Sequence, residues 1–314
     1  MAEPISSREI TLTRIYDAPR DEVWAMWTEA DHIKEWWGPD GFSVGAVESD
    51  PRPGGVLTIV MVGPEFEQTM RARYSEVEVG ERLVVESVVH TPDGQPFIDS
   101  AHVVTFRSLG ERTEVMVNAR ASVFDPAGLG ALAGMKAGWN QSLQCLDDAL
   151  RGVVDRQIVL MRLFDAPTPA VFALWTDESH LERWWGPDGF TISVDEFDAG
   201  PGGRWRFTMH GPDGTDHPNL IVYDEIVPDE RLVYTRSNPA DPSDPPFRSI
   251  VTFDDLDGKT VLSLRNVFES TGARDLVVEK YHAIEGGNQT LARLGALLAA
   301  AQRPSGPRGA GAGP

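Results

Sequence analysis

The chain is poor in cysteine, in basic residues and in long apolar runs, and each shortage closes off a class of function. Cys145 is the sole cysteine, so no intrachain disulfide can form, in keeping with a reducing compartment. No uninterrupted apolar stretch approaches the roughly 20 residues that span a bilayer, and the opening MAEPISSREI lacks the basic-then-apolar layout of a secretory signal. A cytoplasmic location is the expectation. Lysine and arginine number 28 against 48 aspartates and glutamates, a formal charge of −20 that repels phosphate backbones and anionic lipid. Nucleic acid and membrane surfaces are thereby set aside as partners. The seven histidines form no HExxH pair or Cys/His cluster, and no GxSxG elbow, phosphate loop or dinucleotide fingerprint occurs. Neither a metal nor a cofactor is implied.

What the chain does contain is a repeat. Its 314 residues, 41% apolar and 24% charged, suit a pair of globular domains. Residues 36–42 read WWGPDGF, and the same letters return at 184–190, an offset of 184 − 36 = 148. At that offset Asp17-Ala18-Pro19 answers Asp165-Ala166-Pro167, Trp27-Thr28 answers Trp175-Thr176, and Pro53-Gly54-Gly55 answers Pro201-Gly202-Gly203. Asn140-Gln141-Ser142-Leu143 answers Asn288-Gln289-Thr290-Leu291 near the ends. The copies span 8–151 and 156–301, leaving a tail at 302–314 rich in Gly, Pro and Ala that is expected to be disordered.

Within each copy the pattern predicts a first strand, two short helices, six more strands and a long helix. The first strand (9–16; 157–164) enters an Ala-Pro turn, and Val23, Met26, Trp27, Ala30, Ile33 and Trp37 then follow helical spacing, broken near Thr28. Thr168-Pro169 reads as an N-cap followed by proline at the first helical position. Short runs between turn residues suit an antiparallel meander. Leu129, Leu132, Met135, Trp139, Leu143, Leu146 and Leu150 then line one face of a single long helix.

Together, the Ala-Pro turn, the Trp-Thr pair, WWGPDGF, Pro-Gly-Gly and the closing helix resemble the Aha-type branch of the START-like, helix-grip superfamily, almost from end to end and twice over. The resemblance implies an α+β chain of two helix-grip domains. Each would be a curved seven-stranded antiparallel sheet around a long C-terminal helix with two short helices, and many relatives hold an apolar molecule between sheet and helix. The family spans activators of a heat-shock chaperone ATPase, polyketide cyclase-like enzymes and self-resistance proteins of antibiotic producers, so function must be argued from the site.

Strand alternation selects candidate cavity residues. In the second copy these are Trp205, Phe207, Met209, Tyr223, Tyr234, Arg236 and Asn266, joined by Trp185, Tyr281 and Gly287; in the first they are Met61, Tyr74, His102, Trp139 and Trp37. An apolar cavity with a few polar groups describes a ligand site, and no base–nucleophile set is legible in the sequence. Binding or sequestration of an aromatic or polyketide-like molecule, as a carrier or in self-resistance, is therefore favoured over a cyclase or hydrolase. Chaperone ATPase activation rests on the resemblance alone. Because Gly287 stands where the first copy has Trp139, the second cavity is expected to be the more open. Oligomeric state is left open.

Overall fold

The computed structural model describes residues 3–63, 67–91, 95–241 and 243–302. The expected disordered tail thus lies outside the described residues, apart from Gln302, whose amide donates to the Asp165 carbonyl at 2.6 Å. The chain divides into two compact units, Met1–Asp155 and Arg156–Pro314.

In the first unit the elements run β1 (Ser6–Tyr16), α1 (Arg20–Thr28), α2 (Ala30–Trp36), β2 (Ser43–Ser49), β3 (Val56–Val62), β4 (Glu67–Glu78), β5 (Arg82–His90), β6 (Pro96–Ser108), β7 (Thr113–Val123), α3 (Leu129–Ala133) and α4 (Met135–Leu150). The second repeats them as β8 (Gln157–Phe164), α5 (Thr168–Thr176), α6 (Glu178–Trp184), β9 (Thr191–Phe197), β10 (Arg204–His210), β11 (Asp216–Val227), β12 (Arg231–Ser237), β13 (Phe247–Leu256), β14 (Lys259–Phe268), α7 (Thr271–Tyr281) and α8 (Ala283–Ala301). The sheets have the same order, β1-β7-β6-β5-β4-β3-β2 and β8-β14-β13-β12-β11-β10-β9, so each is the expected seven-stranded antiparallel sheet.

Pro-Gly-Gly explains part of the curvature. Gly54 and Gly202 adopt left-handed backbone, φ 83° and 79°, and the next glycine in each copy lies so close to the carbonyl of Asp50 or Asp198 that any Cβ would collide with it. That turn is joined to the neighbouring strand by paired bonds: Gly54 to the Tyr74 carbonyl at 2.7 Å with Tyr74 N–H back to Gly55 at 3.0 Å, and Gly202 to Tyr223 at 2.7 Å with Tyr223 back to Gly203 at 3.0 Å. Directly after each tyrosine the pairing slips, between Tyr74 and Glu76 and between Tyr223 and Glu225, and such bulges bend a sheet.

Two details differ from the sequence reading. Thr168 is the first helical residue and Pro167 the cap position, with no side-chain capping bond, because the Ala-Pro turn carries extended backbone up to that proline. The long helix also arrives in two pieces: Gly134 separates α3 from α4, and His282, in left-handed backbone at φ 51°, separates α7 from α8. In the sequence the apolar spacing runs on across both breaks, so periodicity does not mark them, but in the structure Leu129 and Ile284 leave the inward stripe and are exposed.

Each unit has its own core. Leu143 and Leu146 of α4 pack with Tyr16, Trp27, Trp36 and the inner faces of β3 to β7; Leu291, Leu294 and Leu298 of α8 pack with Trp175, Trp184, Trp205 and the inner face of the second sheet. A fragment ending at Asp155 is therefore expected to fold and to melt in one cooperative transition. Loss of its near-ultraviolet dichroism under conditions where the full chain is folded would show that the cores depend on one another.

Candidate functional site

Each unit buries the first tryptophan of its Trp-Trp pair and leaves the second half-buried at a cavity, which in the first unit both of them touch. Trp36 and Trp184 are buried, and their indole N–H groups donate to the carbonyls of Met26 at 2.7 Å and Leu174 at 3.0 Å. Trp37 and Trp185 are half-buried and line the cavities. In the second unit the following turn is held by Arg293 of α8, which donates to the carbonyls of Gly186, Pro187 and Phe190 at 2.8, 2.8 and 3.0 Å.

The second cavity has a volume of about 290 Å³. One wall is Trp185, Pro187 and Phe190; the sheet contributes Phe207 and Met209 from β10, His217, Asn219 and Ile221 from β11, Tyr234 and Arg236 from β12, and Phe247 from β13. Val277 and Tyr281 of α7 and Ala283 of α8 close it, so the break at His282 forms part of its rim. Its polar end is a network. Arg236 donates through Nε to Asn219 Oδ1 at 2.7 Å and through Nη1 to Asp244 Oδ2 at 2.8 Å, Asn238 donates to the same carboxylate oxygen at 3.2 Å, and the guanidinium lies 5.6 Å from the centre of the Phe247 ring. Burial pushes the Tyr234 phenol up to about 12, partly offset by hydrogen bonding to Ser249, so it keeps its proton at neutral pH.

Of the residues expected at this site, Trp185, Phe207, Met209, Tyr234, Arg236 and Tyr281 line the cavity together. Trp205 and Tyr223 point inward but are core: Trp205 stacks on Phe207 at 4.2 Å and Tyr223 packs on Tyr234 at 6.1 Å. Asn266 accepts from Ser249 at 2.7 Å, away from the cavity wall. Gly287 is also elsewhere, facing the side chain of Leu160, which fills the space a larger residue would take. Asn219 and Asp244, the partners of Arg236, were missed. Asn219 shares the inward parity of Tyr223 on β11, where only Tyr223 was named, so alternation carried along that strand reaches it; Asp244 sits in a proline-rich connection with no period.

The first cavity, of about 320 Å³, is lined by Trp36, Trp37, Met61, His102, Met135, Trp139 and small residues of α3 and α4. Met61, His102, Trp139 and Trp37 thus meet, whereas Tyr74 is fully buried with its hydroxyl 2.9 Å from Ser49 Oγ. The two cavities are of comparable volume, so the wider second cavity expected from Gly287 is not seen. Where the first unit has Trp139 packed on Trp37 at 5.9 Å, the second has Trp205 packed on Trp185 at 4.7 Å, so an indole fills comparable space from the sheet instead of the helix.

Outside the cavities, His32 and His180 lie 3.6 Å from Glu29 and 3.8 Å from Asp177 on their short helices. Ser193, His210 and Asp216 make a hydrogen-bonded chain that the sequence reading did not find, 2.9 Å from Ser193 Oγ to His210 Nε2 and 2.6 Å from His210 Nδ1 to Asp216. Ser193 and Asp216 are exposed and His210 is only half-buried, so water screens the charges that such a relay would stabilise. Among the described residues no group of three or more His, Cys, Asp or Glu is placed to hold a metal ion. No helix there is long and apolar enough to cross a membrane.

The model of the family described as "Activator of Hsp90 ATPase homolog 1-like protein" matches residues 17–151 and again 165–299. The chain belongs to this family. Among solved structures, a protein of Arthrobacter aurescens is 24% identical, over 47% of this chain and 88% of its own, with a TM-score of 0.45. A Chromobacterium violaceum protein is 28% identical over 46% and 96%, with a TM-score of 0.39. The di-domain ARO/CYC BexL from the BE-7585A biosynthetic pathway is 18% identical over 95% and 100%, with a TM-score of 0.38. No curated protein matches the chain. Both family repeats carry the START-like architecture described above, with a cavity in each.

The two family repeats differ in polar chemistry. Tyr234 pairs across the strands with Ser249 where Val85 pairs with His102, and Arg236 pairs with Phe247 where Ser87 pairs with Ser100. His102 lies 5.1 Å from Trp139, and burial pushes its imidazole down from 6.5 to about 4. The neutral ring is the folded form, so its contribution to stability is complete above the unfolded value near 6.5, falls as pH drops from there, and stops falling below about 4. Relative to His102→Gln, the native chain is expected to lose on the order of 3 kcal/mol across that window. Parallel denaturation curves for the two proteins between pH 7 and pH 4 would contradict this.

Proposed function

We propose that the second unit binds an apolar, aromatic small molecule in the cavity between its sheet and the α7–α8 segment, in a carrier or sequestering role. The observation that carries this reading is the composition of the wall: aromatic and aliphatic side chains on three sides converge on one hydrogen-bonded polar cluster. Such walls supply contact area while a few fixed polar groups set orientation. At about 290 Å³ the cavity has room for a molecule of two fused rings.

The rival reading, a cyclase or hydrolase, has one observation in its favour. The Tyr234 phenol is held protonated in the cavity wall, where a ligand oxygen would compete with Ser249 for its proton. Recovery of a ligand chemically unchanged after prolonged incubation separates the two, since turnover would alter it.

Ala283 is the wall residue whose enlargement disturbs least, because it opens α8 and is only half-buried. Ala283→Trp is expected to weaken binding of a neutral two-ring probe, methyl 2-naphthoate, by roughly tenfold or more, with the melting temperature little changed. Equal affinity of the two proteins in calorimetric titration would remove this cavity as the binding site.

A further inference from the structure

We propose that the second cavity selects uncharged ligands bearing a hydrogen-bond acceptor and discriminates against carboxylates, and that Asp244 is the residue that sets this selectivity. The inference rests on the reading of this cavity as a ligand site. An arginine in an apolar pocket ordinarily signals an anionic ligand, because guanidinium geometry matches a carboxylate. Here that place is taken. Asp244 Oδ2 accepts from Arg236 Nη1 at 2.8 Å, with the two side chains 9% and 16% exposed, and both line the cavity. Asn219 takes the Nε proton at 2.7 Å.

The pair therefore presents little net charge to the cavity, while the guanidinium's uncommitted N–H groups remain available to an acceptor. A ligand carbonyl needs only that. A ligand carboxylate must shed its hydration and then sit beside Asp244 as a second like charge in a poorly solvated site, with the compensating cation already engaged. Asn238 donates to the same Asp244 oxygen at 3.2 Å, which holds the carboxylate in place against displacement by an incoming anion. The device belongs to this unit alone, since Ser87 and Ser100 occupy the corresponding strand positions in the first, hydroxyl to hydroxyl at 2.8 Å.

The test compares methyl 2-naphthoate with 2-naphthoate, which share rings and carbonyl and differ in charge, by calorimetric titration of the full chain at neutral pH. The native protein is expected to bind the ester at least about tenfold more tightly than the acid. Asp244→Asn keeps the side-chain size but frees the arginine charge, and is expected to bring the acid level with the ester or ahead of it. Native protein that binds the acid as well as the ester overturns the inference, and that comparison stands even where Asp244→Asn does not fold. A folded Asp244→Asn that keeps the native preference overturns it equally. Failure of both probes to bind either protein overturns the cavity reading itself, and the charge selectivity with it.

Discussion

The position of each cavity depends on one buried hydrogen bond, from the indole of the first tryptophan in the WWGPDGF motif to a carbonyl in the last turn of the preceding helix. Without an acceptor a buried indole N–H costs about 1–3 kcal/mol, and the last carbonyls of a helix have no partner within it. Trp36 with Met26, and Trp184 with Leu174, satisfy both at once. The bond sets the angle between the two short helices and anchors the start of the turn that follows. With the first indole locked, the next residue in the chain has to project elsewhere, and Trp37 and Trp185 therefore stand at the cavity walls.

Around that anchor the two units keep the architecture and exchange the contents. Trp139 and Leu57 in the first unit correspond to Gly287 and Trp205 in the second, so a large side chain has moved from helix to sheet, and the cavities end at about 320 and 290 Å³. Cores tolerate such exchanges of large and small residues when several positions change together. Polarity was not conserved. The first cavity carries a neutral imidazole and the second an arginine already paired with a carboxylate, so the polar linings differ even though the elements follow in the same order.

The helix breaks serve the same end. A straight helix from α7 into α8 would continue its apolar stripe over the sheet; His282 in left-handed backbone turns the chain so that Tyr281 and Ala283 both face the rim. Left-handed backbone at a residue other than glycine costs free energy and persists where the surroundings impose it. Arg293 supplies another constraint that the first unit lacks, tying the turn to α8 through three carbonyls where Cys145 instead approaches Asp40 at 3.5 Å.

Sequence alone determined the repeat, the seven-stranded meander and the inward face of the central strands, because these follow from spacing and from the period-two alternation of side chains, which are local properties; the family came from the resemblance of its motifs. It marked Trp185, Phe207, Met209, Tyr234, Arg236 and Tyr281 for the second cavity and Met61, His102, Trp139 and Trp37 for the first. It did not separate cavity wall from core, since Trp205 and Tyr223 share the inward face with Phe207 and Tyr234 and differ only in how far along the sheet the helix covers them. Tertiary structure alone decided that Leu160 fills the space beside Gly287 and that a proline-rich loop delivers Asp244 to Arg236. Both depend on contacts between residues far apart in the chain or in loops without a period, where no sequence spacing encodes the distance.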